Sequence, residues 1–218
     1  MHLKRSSMPT TWPINRKSST KRYLAVPSHS KSKGISLLFL IRDILKIAGT
    51  KKEVRLILSN GDVKVNNVIR KREDFPVQVF DTISLPRTKT YYRLGVKNKK
   101  FKLMDISEKE ADQNISKICG KTILKNGLIQ MNLDDGQNFI IKDNFSIGGS
   151  VIVNTKEKKI VRILPLTEGA KIEVISGKYA GQKGKVIATE KLSRGKNYLI
   201  KLEKKEVSLP MKTLLVTE

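Results

Sequence analysis

The chain has 218 residues, a mass of 24.6 kDa and 39% apolar residues, and it carries 44 Lys plus Arg against 20 Asp plus Glu, a net charge of +24. No stretch approaches the ~18 consecutive apolar residues that a membrane-spanning helix requires, and a basic N-terminus with no hydrophobic run behind it does not read as a secretory signal. One cysteine, Cys119, with two histidines, His2 and His29, offers neither an internal disulfide nor a metal-ligand spacing, so a reducing compartment is expected, without structural metal or cofactor.

The first 42 residues contain no Asp or Glu but nine Lys and Arg. Residues 1–36 carry eight basic groups, and residues 37–100 carry fifteen basic against six acidic ones. Residues 101–165 are nearly balanced, ten against eight, and residues 166–218 carry eleven against six. Self-repulsion of this size in the first hundred residues destabilises a compact state unless a polyanion neutralises it, and phosphate neutralisation releases condensed counterions to drive binding. The charge therefore points to a nucleic acid.

Residues 1–36, with Pro9, Pro13, Pro27 and Gly34 and no helical or strand periodicity, read as an extended arm without a core of its own. Its candidate nucleic-acid contacts are Lys4, Arg5, Arg16, Lys17, Lys21 and Arg22. Trp12, Tyr23 and His29 lie among them, each able to stack on a base or to pack on a neighbouring domain.

Leu37, Leu38, Leu40, Ile41, Ile44, Leu45 and Ala48 predict a helix over 36–48, with Ser36 as N-cap, Gly49 as the stop, and Arg42 and Lys46 on its outer face. A second helix follows at once. Thr50 and Glu53 fit a capping box, Val54, Leu56, Ile57 and Leu58 supply the buried side, and Asn60-Gly61 ends it. Lys51, Lys52 and Arg55 then share an exposed face near its first turn, where cations oppose the helix dipole unless an anion occupies the spot.

Residues 62–69 alternate and read as a hairpin with a tight turn at Asn66-Asn67, followed by the basic cluster Arg70, Lys71 and Arg72 and a further strand at 81–85. Two short helices followed by a small sheet, through Leu40 to Leu45, Glu53 to Leu58, Val63 to Asn67 and Asp81 to Ile83, resemble the RNA-binding module named after bacterial small-subunit ribosomal protein four. The resemblance implies RNA contacts from Arg42, Lys46, Lys51, Lys52, Arg55, Asn67, Arg70, Lys71 and Arg72.

Residues 101–165 read as short strands around the turn dipeptides Asn126-Gly127, Asp135-Gly136 and Gly148-Gly149. A hairpin of 128–133 and 138–141 flanks Asp135-Gly136, and 108–118 reads as one short helix. Asp134 and Asp135 are turn chemistry rather than an acid–base pair. Farther on, Glu168 to Ile187 resembles the KOW motif. Gly177, Gly181 and Gly184 allow positive φ and close backbone approach, and Lys178, Lys183 and Lys185 bring charge to the loop. RNA contacts are expected from Lys178, Gly181, Lys183 and Lys185. Strands at 171–175, 184–189, 197–202, 206–209 and 213–217 would close a small five-stranded barrel.

The order of parts, from Met1-His2-Leu3-Lys4-Arg5, Trp12, Arg16-Lys17 and Ser28-His29 through the module, the Asp135-Gly136 hairpin, Leu164-Pro165-Leu166 and the KOW loop, resembles small-subunit ribosomal protein four of the archaeal and eukaryotic type. Ser28 and Gln137 depart from the family pattern. The end of the chain eight residues beyond Pro210 fits the archaeal branch better. The resemblance implies an α+β protein: arm 1–36, RNA-binding module 37–100, central β-rich domain 101–165 and SH3-like KOW barrel 166–218. It also implies a cytoplasmic, non-enzymatic constituent of the small ribosomal subunit, with ribosomal RNA and neighbouring ribosomal proteins as partners and no membrane or small-molecule substrate. A free regulatory RNA-binding factor and an RNA-modifying enzyme anchored by the module are the competing readings.

Overall fold

The computed structural model of the chain describes all residues except 1, 2, 18–21, 143, 193, 194, 203, 204 and 218. Two compact units emerge, Met1–Asp112 and Gln113–Glu218.

In the first unit, β1 (Leu3–Lys4) pairs antiparallel with β2 (Tyr23–Leu24). Leu3, Met8, Trp12 and Leu24 are all buried. Trp12 is 1% exposed, its ring centroid lies 5.5 Å from that of Phe39, and its Nε1 donates to the Lys31 carbonyl at 3.2 Å. Phe101 N donates to the Thr11 carbonyl at 2.8 Å. The arm thus contributes to a core that it was expected to lack. Its four anchors are too widely spaced to make a periodic pattern, but a buried indole alone removes on the order of 150–250 Å² from water, worth about 4–6 kcal/mol.

β3 (Gly34–Ser36) pairs with β6 (Pro76–Gln78) and leads into α1 (Leu37–Phe39), which widens into a π-helical stretch, Leu40–Ile44. Leu45 N donates to Leu40 O, and Lys46 turns left-handed at φ 57 so that Ile47 N reaches Ile41 O. The helix therefore stops at Lys46 rather than Gly49. Ser36 occupies the N-cap position, yet its hydroxyl makes no capping bond. α2 (Lys51–Ser59) has the expected capping box: Glu53 N donates to Thr50 Oγ1 at 3.3 Å and Thr50 N to Glu53 Oε2 at 3.4 Å. Val54 and Leu58 are buried, but Leu56, assigned to the buried side by sequence, is 63% exposed.

β4 (Lys64–Val65) and β5 (Val68–Ile69) form the expected hairpin, with Asn66 and Asn67 at φ 49 and 63, the conformation that matches strand twist in a two-residue turn. β7 (Thr82–Leu85), β8 (Thr90–Lys97) and β9 (Lys100–Asp105) complete an antiparallel sheet in the order β5-β4-β7-β8-β9. The expected boundary at residue 100 falls inside the β8–β9 hairpin, which turns at Asn98-Lys99 with φ 51 and 64. α3 (Glu108–Ala111) is a single turn capped by Ser107.

The second unit opens with β10 (Gln113–Ile123), a strand where residues up to 118 were expected to be helical. The Ser107/Glu110 capping box starts a helix, but the β-branched Ile115, Ile118, Thr122 and Ile123 favour the pleated conformation, and Ile118 is buried by it. β11 (Ile129–Leu133), β12 (Asn138–Ile141), β13 (Ser150–Asn154) and β14 (Lys159–Leu164) join it in the order β12-β11-β10-β13-β14 over a core of Ile118, Met131, Leu133, Phe145, Val151 and Val153. Asp135 accepts from Ser116 Oγ and from Gln137 N, which is turn chemistry as expected.

β15 (Lys171–Val174), β16 (Lys183–Leu192), β17 (Gly195–Leu202), β18 (Glu206–Pro210) and β19 (Leu214–Val216) form a second antiparallel sheet, ordered β18-β17-β16-β15-β19. Ile172, Val174, Val186, Ile200, Leu214 and Val216 line its core. Lys117 Nζ, from β10, donates to the carbonyls of Met211 and Leu214, and Val216 N donates to Ser150 Oγ at 2.9 Å. These bonds tie the two sheets of this unit together.

Candidate nucleic-acid interface

The cations of the first unit divide into those held by neighbours and those facing solvent. On α2, Lys51 and Arg55 converge on one carboxylate: Lys51 Nζ lies 2.9 Å from Glu73 Oε1, and Arg55 donates through Nε and a terminal nitrogen to both Glu73 oxygens at 3.0 and 2.9 Å. Three cations opposing the dipole of α2, as the sequence implied, are thus partly offset by a carboxylate from a loop 18 residues away. Glu73 is 20% exposed, and burial pushes its carboxyl up. The hydrogen bonds from Arg55 and Lys51 outweigh that burial and hold it below the usual carboxylate range. Arg72 grips Asp74 bidentately at 3.0 and 2.7 Å, which lowers the Asp74 carboxyl in turn. The arrangement fixes guanidinium geometry, and Lys46, Lys52 and Lys71 nearby in sequence are exposed.

Other expected contacts have structural work. Arg42 is only 12% exposed in its side chain, is bound to Asp43 at 2.7 Å and lies 5.2 Å over the Phe39 ring, so it is not the outer-face partner of Lys46. Arg70 stacks 4.3 Å over Phe75. Asn67 Nδ2 donates to Asp112 at 3.0 Å, and its turn partner Asn66 bonds Asp81 and the Thr82 amide. In the N-terminal segment, Arg5 donates to the Asn15 carbonyl at 2.6 Å and Arg16 to the Met8 carbonyl at 2.7 Å, clamping the loop between β1 and β2. Lys4, Lys17, Arg22 and His29 are exposed, with Arg22 5.8 Å from the Tyr23 ring. Lys21 lies outside the described residues. Trp12 must be withdrawn as a base-stacking residue, because both faces of its ring are in the core.

In the second unit the glycine loop between β15 and β16 has the expected backbone. Gly177 and Gly181 adopt φ 95 and 84, and Gly181 N donates to Val174 O at 2.7 Å. Gly184 serves close approach instead: a Cβ there would meet the Lys201 carbonyl at 2.5 Å. Lys178, Lys183 and Lys185 are exposed around this loop. Two groups went unnoticed in the sequence. One is Lys97, Lys99 and Lys100 at the tip of the β8–β9 hairpin, whose signal was the Asn98-Lys99 turn between alternating segments. The other is Lys171 and Lys201, which strand register alone brings beside Lys185.

Among the described residues, no helix is long and apolar enough to cross a membrane, and no group of three or more His, Cys, Asp or Glu could hold a metal ion. The arrangement suits recognition of a polyanion: cations on ordered loops and strand faces, several pre-aligned by single carboxylates.

Replacing Glu73 by Gln should raise affinity for a polyanion at low salt by at most roughly fivefold, the Coulomb interaction of one unit charge across 4 Å of water less the alignment that the carboxylate supplies. Melting should fall slightly at pH 7. The Glu73 pKa is depressed in the fold, so its contribution is present above the ordinary carboxylate value and lost as pH falls through the lowered one; the melting difference should vanish in acid. A pH series of melting curves with binding titrations checks both.

The family model described as ribosomal family S4e matches residues 88–160. A protein of Methanocella arvoryzae named small ribosomal subunit protein eS4 is 38% identical over 189 residues, covering 85% of this chain and 79% of that protein. Its namesake in Methanosphaera stadtmanae is 35% identical over 210 residues, covering 95% and 87%. The crystal structure of the 30S ribosomal protein S4e from Thermoplasma acidophilum superimposes with a TM-score of 0.72 at 26% identity, over 84% of this chain and 94% of that one.

Proposed function

The chain belongs to the ribosomal S4e family, and from that membership we propose that it is a structural, RNA-binding constituent of the small ribosomal subunit. The family is one of ribosomal proteins rather than of enzymes, so the surface is read for binding and not for a catalytic step. Ribosomal RNA is the partner whose chemistry fits a chain of net charge +24, and neighbouring ribosomal proteins share the surroundings in the cytoplasmic ribosome.

The observation that carries this reading is the α2 face with the loop that follows the β4–β5 hairpin. Lys46 ahead of α2, Lys52 on it and Lys71 in the loop are exposed, and Glu73 and Asp74 fix the positions of Lys51, Arg55 and Arg72. Pre-aligned guanidinium groups lose less side-chain entropy on meeting a phosphate than free ones do. The first unit therefore acts as the RNA-binding module. Lys178, Gly181, Lys183 and Lys185 form a second contact in the glycine loop of the C-terminal sheet, which we take to be a KOW-type SH3-like barrel. Lys4, Lys17, Arg22 and His29 extend the RNA surface of the N-terminal segment. Binding of the full chain to small-subunit ribosomal RNA, measured as a function of salt, tests the proposal: a steep loss of affinity with salt supports it, and a nearly flat response contradicts it.

A further inference from the structure

The tip of the β8–β9 hairpin gathers lysines without a counter-charge. Lys97 of β8 is directly opposite Lys100 of β9, and Lys99 stands in the turn between them. Directly paired residues of an antiparallel sheet share a face, as do residues two apart on one strand, so Lys97, Lys100 and Lys102 project together. Val96 and Phe101, the next pair, point the other way and are 7% and 4% exposed. Lys97, Lys99, Lys100 and Lys102 are all exposed, and among the described residues none of them has a hydrogen-bond or ion-pair partner.

The face they share holds no carboxylate. Its next pairs are Gly95 with Lys102 and Arg93 with Met104; the Met104 methyl lies where a side chain on Gly95 would begin, and Arg93 donates to the Glu110 carbonyl at 3.0 Å. The one carboxylate on the two strands, Asp105, is at the far end of β9 and on the opposite face. Two features of the tip work against stability. Like charges directly opposite one another destabilise a sheet, and Lys99 turns left-handed at φ 64, where Gly is the favoured residue after Asn in a two-residue turn. The base beneath is fixed: Phe101 is buried, and its N–H donates to the Thr11 carbonyl at 2.8 Å. Charge that the fold does not neutralise thus stands on a rigid support.

We propose that the β8–β9 tip is a further phosphate-binding site, in which Lys97, Lys99, Lys100 and Lys102 take the sugar–phosphate backbone of an RNA strand. It rests on the RNA-binding reading above, and it shares no residue with the α2 face or the glycine loop. The four ammonium groups are point charges on flexible stems, so they meet phosphates without reading bases. The site therefore adds affinity and salt dependence, not base preference.

The test titrates the full-length chain and three variants with a single-stranded oligonucleotide from small-subunit ribosomal RNA over a range of salt. In Lys97→Gln/Lys99→Gln/Lys100→Gln/Lys102→Gln, losing four phosphate contacts should make the slope of log K against log salt shallower by about 3. In Lys125→Gln/Lys142→Gln/Lys158→Gln/Lys212→Gln, which removes the same charge from exposed lysines of the second unit, the parental slope should persist. Lys99→Gly removes one contact and the left-handed Cβ together, so the slope should fall by about 0.7 while melting rises. A parental chain with a flat slope defeats the RNA-binding reading and the tip with it. A steep parental slope that the tip variant retains, or that the second-unit variant loses to the same extent, overturns the tip alone. If the tip variant does not fold, Lys99→Gly decides: raised melting with an unchanged slope overturns the proposal. A tip variant that loses affinity for poly-glutamate but binds the RNA as the parent does would assign the tip to an acidic protein segment and likewise overturn it.

Discussion

Replacing Trp12 by Ala is expected to destabilise the first unit by about 3–5 kcal/mol, the range for deleting a large aromatic from a packed core. The ring is 1% exposed, meets Phe39 at 5.5 Å and donates to the Lys31 carbonyl, so its removal leaves a cavity and an unpaired carbonyl together. A loss of that size should lower the calorimetric melting temperature of the unit by on the order of 10 °C or more. Trp12→Phe should recover most of the loss, since it restores a ring against Phe39. RNA affinity, measured well below melting, should barely change, because the indole offers no face to a base. A Trp12→Ala variant that melts like the parent but binds RNA poorly would return Trp12 to the interface.

Affinity for small-subunit ribosomal RNA should fall by roughly 10³–10⁵ between 50 and 200 mM salt, the response of a protein that makes about 6–10 phosphate contacts. The first unit alone supplies exposed Lys46, Lys52 and Lys71 in addition to the guanidinium groups of Arg55 and Arg72, and the second adds Lys178, Lys183 and Lys185. Changing Lys46, Lys52 and Lys71 to Gln should reduce the slope by about 2 while leaving melting unaffected, since none of the three is buried. An affinity that hardly changes with salt would mean that the excess charge only keeps the chain soluble.

What could be read from the sequence was local. The Thr50–Glu53 capping box, the Asn66-Asn67 turn, the Asp135-Gly136 hairpin and the five C-terminal strands each depend on residues a few positions apart, and each is present. What could not be read depends on partners far away in sequence. Trp12 finds Phe39 and Lys31, Glu73 reaches back to Arg55, and Lys171 meets Lys185 and Lys201 only once the strands are paired. The end of α1 escaped for a different reason: apolar residues spaced on one helical face, with Arg42 and Lys46 opposite, continue to look helical through Ala48, whereas the backbone relaxes into a π turn and reverses at Lys46. Similarly, residues 113–118 begin just after a genuine capping box, and only burial of Ile118 in the sheet core decides for strand over helix.

The distinction between cations that fix the fold and cations left for a partner matters for the RNA surface. Arg5 and Arg16 close the N-terminal loop on backbone carbonyls, and Arg42 is covered by Asp43 and Phe39. A basic residue in the sequence is therefore a candidate contact only after its internal bonds are known. Lys46, Lys52 and Lys71 of the first unit and Lys178 and Lys183 at the glycine loop are exposed and remain candidates.

Protein–RNA crosslinking on small subunits that have passed through a high-salt wash tests the central assignment most directly. The chain is expected to remain with the subunit and to crosslink to ribosomal RNA through Lys46, Lys52 and Lys71 and through Lys178 and Lys183. Loss of the chain in the wash, or crosslinks from these lysines to protein alone, would contradict a structural RNA-binding role in the small subunit.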